Sequence, residues 1–307
     1  MANLSVVISA YNEEKKIEDC LKSVSFADEI IFVDSSSTDQ TVGISKKYAS
    51  RIFTRPNNPM LNVNKNFGFS KAKNDWILSL DADERITSEL ANEIKEKIGN
   101  WKLEIGNSDV VGFWIPRKNI IFNKWIKHAG WYPDYQLRLF KKGKGRFIEE
   151  HVHEMIEVEG ETERLANPIV HYNYDTIFQF LQKLTNVYGP NEAEQMLKKG
   201  YKFAWQDAIR MPLKEFLSRF FAREGYKDGF HGLMLSMLMA FYHFVVFALI
   251  WEKRGFEKIE DKNMLEKTEL EFKRIHKDLL FWIRKEKIKQ IKNPIKKSAY
   301  KLFNKLG

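Results

Sequence analysis

Trp76-Ile-Leu-Ser-Leu-Asp81-Ala-Asp83-Glu84 runs from a short apolar stretch straight into three carboxylates. The run is too short for a helix and apolar at nearly every position, as in a strand covered on both faces of a parallel sheet. Such a strand delivers Asp81 and Asp83, one residue apart, to the carboxyl edge, where open α/β sheets bind their ligands. Paired carboxylates there suit a hard divalent cation, Mg²⁺ or Mn²⁺, bridging to a diphosphate. The same acids could instead cap a helix that starts after Thr87.

Outward from this stretch, the first 115 residues alternate strand and helix patterns. Apolar β-branched runs occur at Leu4–Ala10, Ile30–Asp34, Arg51–Thr54 and Val110–Ile115. Between them Ile17, Cys20, Leu21 and Val24 keep helical spacing, as do Leu90, Ile94 and Ile98. Parallel βαβ units are the expectation, with helices on both faces. The strand ends are polar: Tyr11-Asn12-Glu13, Asp34-Ser35-Ser36 and Asp81-Ala82-Asp83-Glu84. From 116 to 172 short strands take over. Tyr135–Phe140, a Lys141-Lys142-Gly143-Lys144-Gly145 turn and Arg146–Ile148 predict a hairpin, followed by strands near 155–159 and 168–172. Asp175 is the expected cap of a helix running towards Lys199.

Three stretches together resemble the successive signatures of glycosyltransferase family 2: Val6-Val-Ile-Ser-Ala-Tyr-Asn-Glu13, Val33-Asp-Ser-Ser-Ser-Thr-Asp39 and Leu80-Asp-Ala-Asp-Glu84. A later stretch, Gly130-Trp-Tyr-Pro-Asp-Tyr-Gln-Leu-Arg-Leu-Phe140 with Val152-His-Glu154, resembles a subgroup of bacterial lipopolysaccharide-core transferases. The resemblance spans residues 3–255. It implies a GT-A fold and inverting transfer from a nucleotide sugar, UDP-linked, with Mg²⁺ or Mn²⁺ as cofactor.

It also implies roles. Ser9, Tyr11, Glu13, Asp34, Lys65 and Asp81 would line the nucleotide, and Asp83 with Asp81 would hold the metal, His171 being a further candidate ligand. Physically, the Asp34 carboxylate can accept from a base N–H, but an Asx-turn opening the next helix is the competing role. Lys65 reads as a nucleotide contact or as a solvated helix lysine. Glu154 is the expected general base, Glu150 the alternative. The competing role for Glu154 is a pair with a nearby arginine such as Arg138. Trp131, Tyr132 and Arg138 are the expected acceptor contacts, with Trp125 a further aromatic that could stack or fill core. His151 and His153 share a strand face but lack the third ligand zinc would need.

Other chemistries are disfavoured. There is no Gly-rich phosphate loop and no dinucleotide fingerprint. The lone Cys20 excludes a disulfide framework and fits a reducing compartment. The opening Met-Ala-Asn-Leu-Ser lacks the basic and apolar regions of a signal peptide.

Charge and hydropathy set off the C-terminal part. The chain carries +9, yet residues 284–307 alone hold nine Lys and Arg against Glu286. Leu213, Phe216, Leu217, Phe220 and Phe221 make an apolar stripe, and Gly232–Trp251 contains no acid, Lys or Arg. About twenty apolar residues can span a bilayer, but one crossing would export the basic tail, against the preference of Lys and Arg for the cytoplasmic side. An interfacial or re-entrant element, a true span, and a buried core helix or oligomer contact all remain open. The organisation expected is 1–205 catalytic, 206–256 membrane-associated and 257–307 a basic amphipathic helical tail, with Pro294 breaking its pattern. The working expectation is a transferase at the cytoplasmic face of the inner membrane, acting on a lipid-linked or lipopolysaccharide-core-type glycan and touching anionic lipid. Its rivals are hexose transfer to polyprenyl phosphate and an inactive basic-tailed binding protein. No nucleic-acid partner is expected, and a homo-oligomer is possible.

Overall fold

In the computed structural model, residues 3–58, 60–100, 110–149, 154–295 and 298 are described. The strands are β1 (Leu4–Ala10), β2 (Glu29–Asp34), β3 (Arg51–Thr54), β4 (Trp76–Asp81), β5 (Glu84–Arg85), β6 (Val110–Ile121), β7 (Lys124–Trp125), β8 (Asp134–Lys141), β9 (Gly145–Arg146), β10 (Glu157–Val158), β11 (Glu161–Arg164) and β12 (Ile169–Tyr174). Four helices lie among them: α1 (Ile17–Ser23), α2 (Thr41–Ser45), α3 (Leu61–Lys71) and α4 (Ser88–Asn100). Along the main sheet the order is β3-β2-β1-β4-β8-β6-β12-β5. The four strands β3, β2, β1 and β4 are mutually parallel, and β8 then runs antiparallel to both β4 and β6.

Both faces of the sheet are buried, and strand alternation divides them. Val6, Ile8, Phe32, Leu78 and Leu80 face one core with Ile17, Leu21, Leu90 and Ile94 from α1 and α4. Val7, Ile31, Val33 and Ile77 face the other, with Phe69, Phe140 and Phe147. Each such side chain contributes about 1.5–3 kcal/mol on full burial. That core outweighs the short polar edges and fixes where they lie. Gly68 lets α3 press onto this face: a Cβ there would meet Val7 Cγ1 at 2.4 Å. The close approach sets the height at which Lys65, one turn earlier, reaches the strand ends.

Two expectations are corrected in this region. Tyr135–Phe140 lies in β8 but forms no hairpin with Arg146–Ile148. Both edges of β8 are already taken by β4 and β6, so β9 turns away and pairs with β10. The cap of the helix after β12 is Thr176, whose hydroxyl accepts from Gln179 N–H at 3.1 Å, while the Asp175 carboxylate pairs with Lys16 at 2.7 Å.

The chain divides into two compact units, one of residues 1–125 and 132–175, the other of 126–131 and 176–307. The boundary expected at 205 therefore falls at 175, and the two C-terminal segments expected as separate belong to one unit. The second unit contains α5 (Ile177–Lys183), α6 (Gly189–Lys198), α7 (Asp207–Leu217), α8 (Phe230–Lys253) and α9 (Met264–Gln290). The boundary moves because α6 and α7 pack on α8: Tyr242 donates to Glu192 at 2.5 Å, and His243 lies 3.8 Å from Glu215. α9 is fastened through acids. Glu271 takes Arg210 and Arg274, and Glu286 accepts from the Tyr226 hydroxyl at 2.7 Å. α9 ends four residues before Pro294.

Candidate active site

The carboxyl ends of β1 and β2 are laced together. Asn12, in the left-handed region with φ 53°, donates its N–H to Ser37 Oγ at 3.0 Å and accepts from Thr38 N–H at 2.8 Å through its side chain. Glu13 N–H donates to Thr41 Oγ1 at 2.8 Å, which fixes the start of the loop before α1. Ser9 sits level with Asp81 across β1 and β4, and Tyr11 is well exposed beside them in sequence. Asp34 is buried, and its carboxylate accepts from Ser37 N–H at 3.1 Å. The Asx-type role is thus present, and it orients a carboxylate at the strand end.

Asp81 is the hub of the site. Lys65 Nζ lies 2.5 Å from Oδ1 and Arg138 Nη2 lies 2.6 Å from Oδ2. Lys65 is accordingly no solvated helix lysine. Burial works against the charged carboxyl, but Arg138 and then Lys65 outweigh it and hold Asp81 well below the usual carboxylate range. Arg138 also donates to Glu84 at 2.9 Å, and Glu84, fully buried, accepts from the Asp81 backbone N–H at 2.9 Å. Arg138 was expected to contact the acceptor; it is instead buried behind Asp81, its guanidinium shared between two acids. Arg85 fastens the same loop to α1 by donating to the carbonyls of Ala82, Glu84 and Lys16.

Asp83 has a different neighbour. β5 pairs with β12 in a register that sets His171 opposite Glu84, and Tyr172 N–H donates to the Asp83 carbonyl at 2.9 Å. His171 Nε2 is thereby brought to 3.6 Å from Asp83 Oδ2, too long for a hydrogen bond. Among the described residues no group of three or more His, Cys, Asp or Glu is placed to hold a metal. An oxygen and an imidazole nitrogen fit Mg²⁺ or Mn²⁺, whose remaining ligands come from phosphate and water, better than a closed zinc site. Asp81, with both oxygens on cations, is committed elsewhere.

α3 supplies a polar face that sequence reading missed. Asn62 and Asn66, one turn apart, flank Lys65. Asn66 bonds Phe147 N–H at 3.0 Å and Glu149 Oε1 at 2.7 Å, and Asn62 donates to Glu154 Oε2 at 3.2 Å. Glu154 Oε2 also accepts from Glu149 N–H at 2.7 Å. The expected base is therefore anchored to the helix that carries Lys65. Glu150, His151 and His153 lie outside the described residues. Of the aromatics, Tyr132 packs edge-on against Trp125 at 5.5 Å in the first unit, and Trp131 lies under the Arg219 guanidinium at 5.4 Å in the second.

Replacing Arg138 with leucine should leave Glu84 buried without its partner, since Arg117 at 3.8 Å is too distant to substitute. Loss of one member of a buried pair costs about 3–5 kcal/mol. Urea denaturation should show a drop of that order, partly recovered by adding Glu84→Gln.

Comparison with known proteins places this geometry. Residues 5–159 match the family profile described as Glycosyl transferase family 2. An uncharacterized glycosyltransferase of Rickettsia typhi is 29% identical over 263 residues, covering 82% of this chain and 88% of that protein. The lipopolysaccharide core biosynthesis glycosyltransferase LpsC of Rhizobium meliloti is 26% identical over 259 residues, covering 82% and 93%. Among solved structures, S. aureus TarS 1-349 in complex with UDP-GlcNAc aligns with a TM-score of 0.45 and 14% identity over 84% of this chain and 93% of that one. With its three signatures at the carboxyl edge of a mostly parallel sheet, the chain belongs to glycosyl transferase family 2 and is a glycosyltransferase of the GT-A α/β fold.

Proposed function

We propose that the protein moves a sugar from a nucleotide diphosphate donor, UDP-linked, to a hydroxyl of a lipid-linked or lipopolysaccharide-core-type glycan, with inversion and with a divalent cation. The observation that carries this reading is the division of labour between two neighbouring acids. Asp81 is neutralised by Lys65 and Arg138, whereas Asp83 faces His171 across 3.6 Å. Asp83 and His171 would hold Mg²⁺ or Mn²⁺, which when bound supplies positive charge to the leaving diphosphate. Lys65, 2.5 Å from Asp81, adds to that field. Asp34 receives a base N–H, and Tyr11 offers its exposed ring to the base. Glu154 takes the acceptor's proton. The likeness to LpsC supports a lipopolysaccharide-core type of acceptor.

Glutamine at 154 can turn its carbonyl to Asn62 and to Glu149 N–H, so the anchoring survives and only the base is lost. Glu154→Gln should cut kcat by about 10²–10⁴-fold, with the donor KM nearly unchanged, in a Mn²⁺-supplemented UDP-sugar transfer assay. The same loss in Glu150→Gln, with Glu154→Gln active, would move the base to the neighbouring acid.

The reaction is assigned to the cytoplasmic membrane face. α8 is long and apolar enough to cross a bilayer, and part of it is buried within the protein. Phe230, Met237, Phe241, Phe244 and Trp251 are exposed along it at helical spacing. One flank packed and one flank apolar suits a helix lying in the interface better than a core helix. Changing both Phe241 and Phe244 to aspartate should lower co-sedimentation with anionic vesicles while transfer to a soluble acceptor persists. Unchanged co-sedimentation would remove α8 from the membrane contact.

A further inference from the structure

β6 carries two polar residues on one face, Arg117 and Asn119, and each is matched across the sheet. Arg117 stands opposite Asp134 of β8, and Asn119 stands opposite His171 of β12. Arg117 donates to Asp134 Oδ2 from Nε at 2.8 Å and from Nη2 at 2.5 Å, and Gln136 donates to Oδ1 at 3.1 Å. Burial raises the cost of charge on Asp134, but Arg117 prevails and holds its carboxyl below the usual range. Asp134 is thus a carboxylate that can only accept. Asn119 is fully buried, with Nδ2 3.4 Å from Asp134 Oδ2 and Oδ1 2.7 Å from His171 Nδ1.

Hydrogen-bond polarity then propagates along the chain of groups. Because Asp134 accepts, the amide nitrogen of Asn119 must face it. The amide oxygen must therefore face the imidazole, and an amide oxygen cannot donate. Nδ1 of His171 has to carry the proton. In a neutral ring this leaves the Nε2 lone pair bare, and Nε2 is the atom beside Asp83.

We propose that Asn119, locked by the Arg117–Asp134 pair, is a positioning residue that holds His171 in the Nδ1–H tautomer and presents its Nε2 lone pair, beside Asp83, to a divalent cation. The proposal rests on the reading of Asp83 and His171 as cation ligands. It extends the site by two strands, to β6 and β8.

The first test needs no substitution in the network. Two-bond proton–nitrogen correlation spectra of the metal-free ¹⁵N-labelled protein, taken at a pH where the spectrum shows the ring neutral, report which ring nitrogen is protonated, with His171→Ala assigning the signal. Protonation at Nδ1 alone is expected. A proton on Nε2, alone or with Nδ1, overturns the proposal. The second test titrates Mn²⁺ alone and follows the free ion by electron paramagnetic resonance. Outer partners of a ligating histidine are typically worth about 10–100-fold in metal affinity, and Asn119→Leu should lose that much. The swap Asn119→Asp with Asp134→Asn keeps an acceptor on Nδ1 and a donor between the two positions, and it should restore much of the loss. If His171→Ala weakens Mn²⁺ binding but neither Asn119 variant changes it, the positioning role falls and the metal reading stands. If His171→Ala binds Mn²⁺ as the wild type does, both fall together. Should Asn119→Leu fail to fold, the wild-type spectrum and the swapped pair decide.

Discussion

Packing several acids at one buried sheet edge is costly unless cations meet them, and that constraint organises the catalytic unit. Asp81, Asp83, Glu84 and Asp134 converge where β4, β5 and β8 end or begin. Lys65, Arg117 and Arg138 are placed against them, at distances of 2.5 to 3.8 Å. A buried carboxylate left without a cation would shift its equilibrium to the neutral acid or destabilise the fold. Lys65 and Arg138 meet Asp81, Arg138 also meets Glu84, Arg117 meets Asp134, and the His171 imidazole lies 3.6 Å from Asp83.

The sheet order makes this possible. Inserting β8 antiparallel between β4 and β6 sends Arg138 to the carboxyl end of β4, where a further parallel strand would have brought its own loop instead. The return of β12 beside β6, and the short β5 pairing with it, closes the edge and brings His171 alongside the acid loop. α3 completes the arrangement from the other side, because Gly68 allows it close enough for Lys65 to reach Asp81. Each of these is a packing decision made far from the chemistry.

Much of this was legible in the sequence, and the reasons for what was not are physical. The parallel strands were readable because apolar runs ending in acids leave few alternatives, and β1, β3 and β4 fall at the residues their patterns indicated. The acids Asp34, Asp81 and Asp83 followed from strand ends. Arg138 was misread because its partner lies 57 residues away and is set by the antiparallel insertion of β8, which no local pattern encodes. The hairpin expected after Phe140 failed for the same reason, since turn chemistry says nothing about which edges are already occupied. Asn62, Asn66 and Asn119 gave no signal, because an asparagine in a helix or strand looks like any polar residue until its partner is in place. The boundary was expected too late because helix spacing is alike on both sides of 205, in α6 before it and α7 after it.

In the proposed reaction Asp83, and not Asp81, couples nucleotide binding to a divalent cation. Calorimetric titration of UDP into the wild type and Asp83→Asn, each with and without Mn²⁺, tests it most directly. Mn²⁺ is expected to tighten UDP binding in the wild type, and the Asp83→Asn protein to bind UDP with the same affinity in either condition. Tightening by Mn²⁺ that survives in Asp83→Asn, or UDP binding by the wild type that ignores Mn²⁺ altogether, would contradict it.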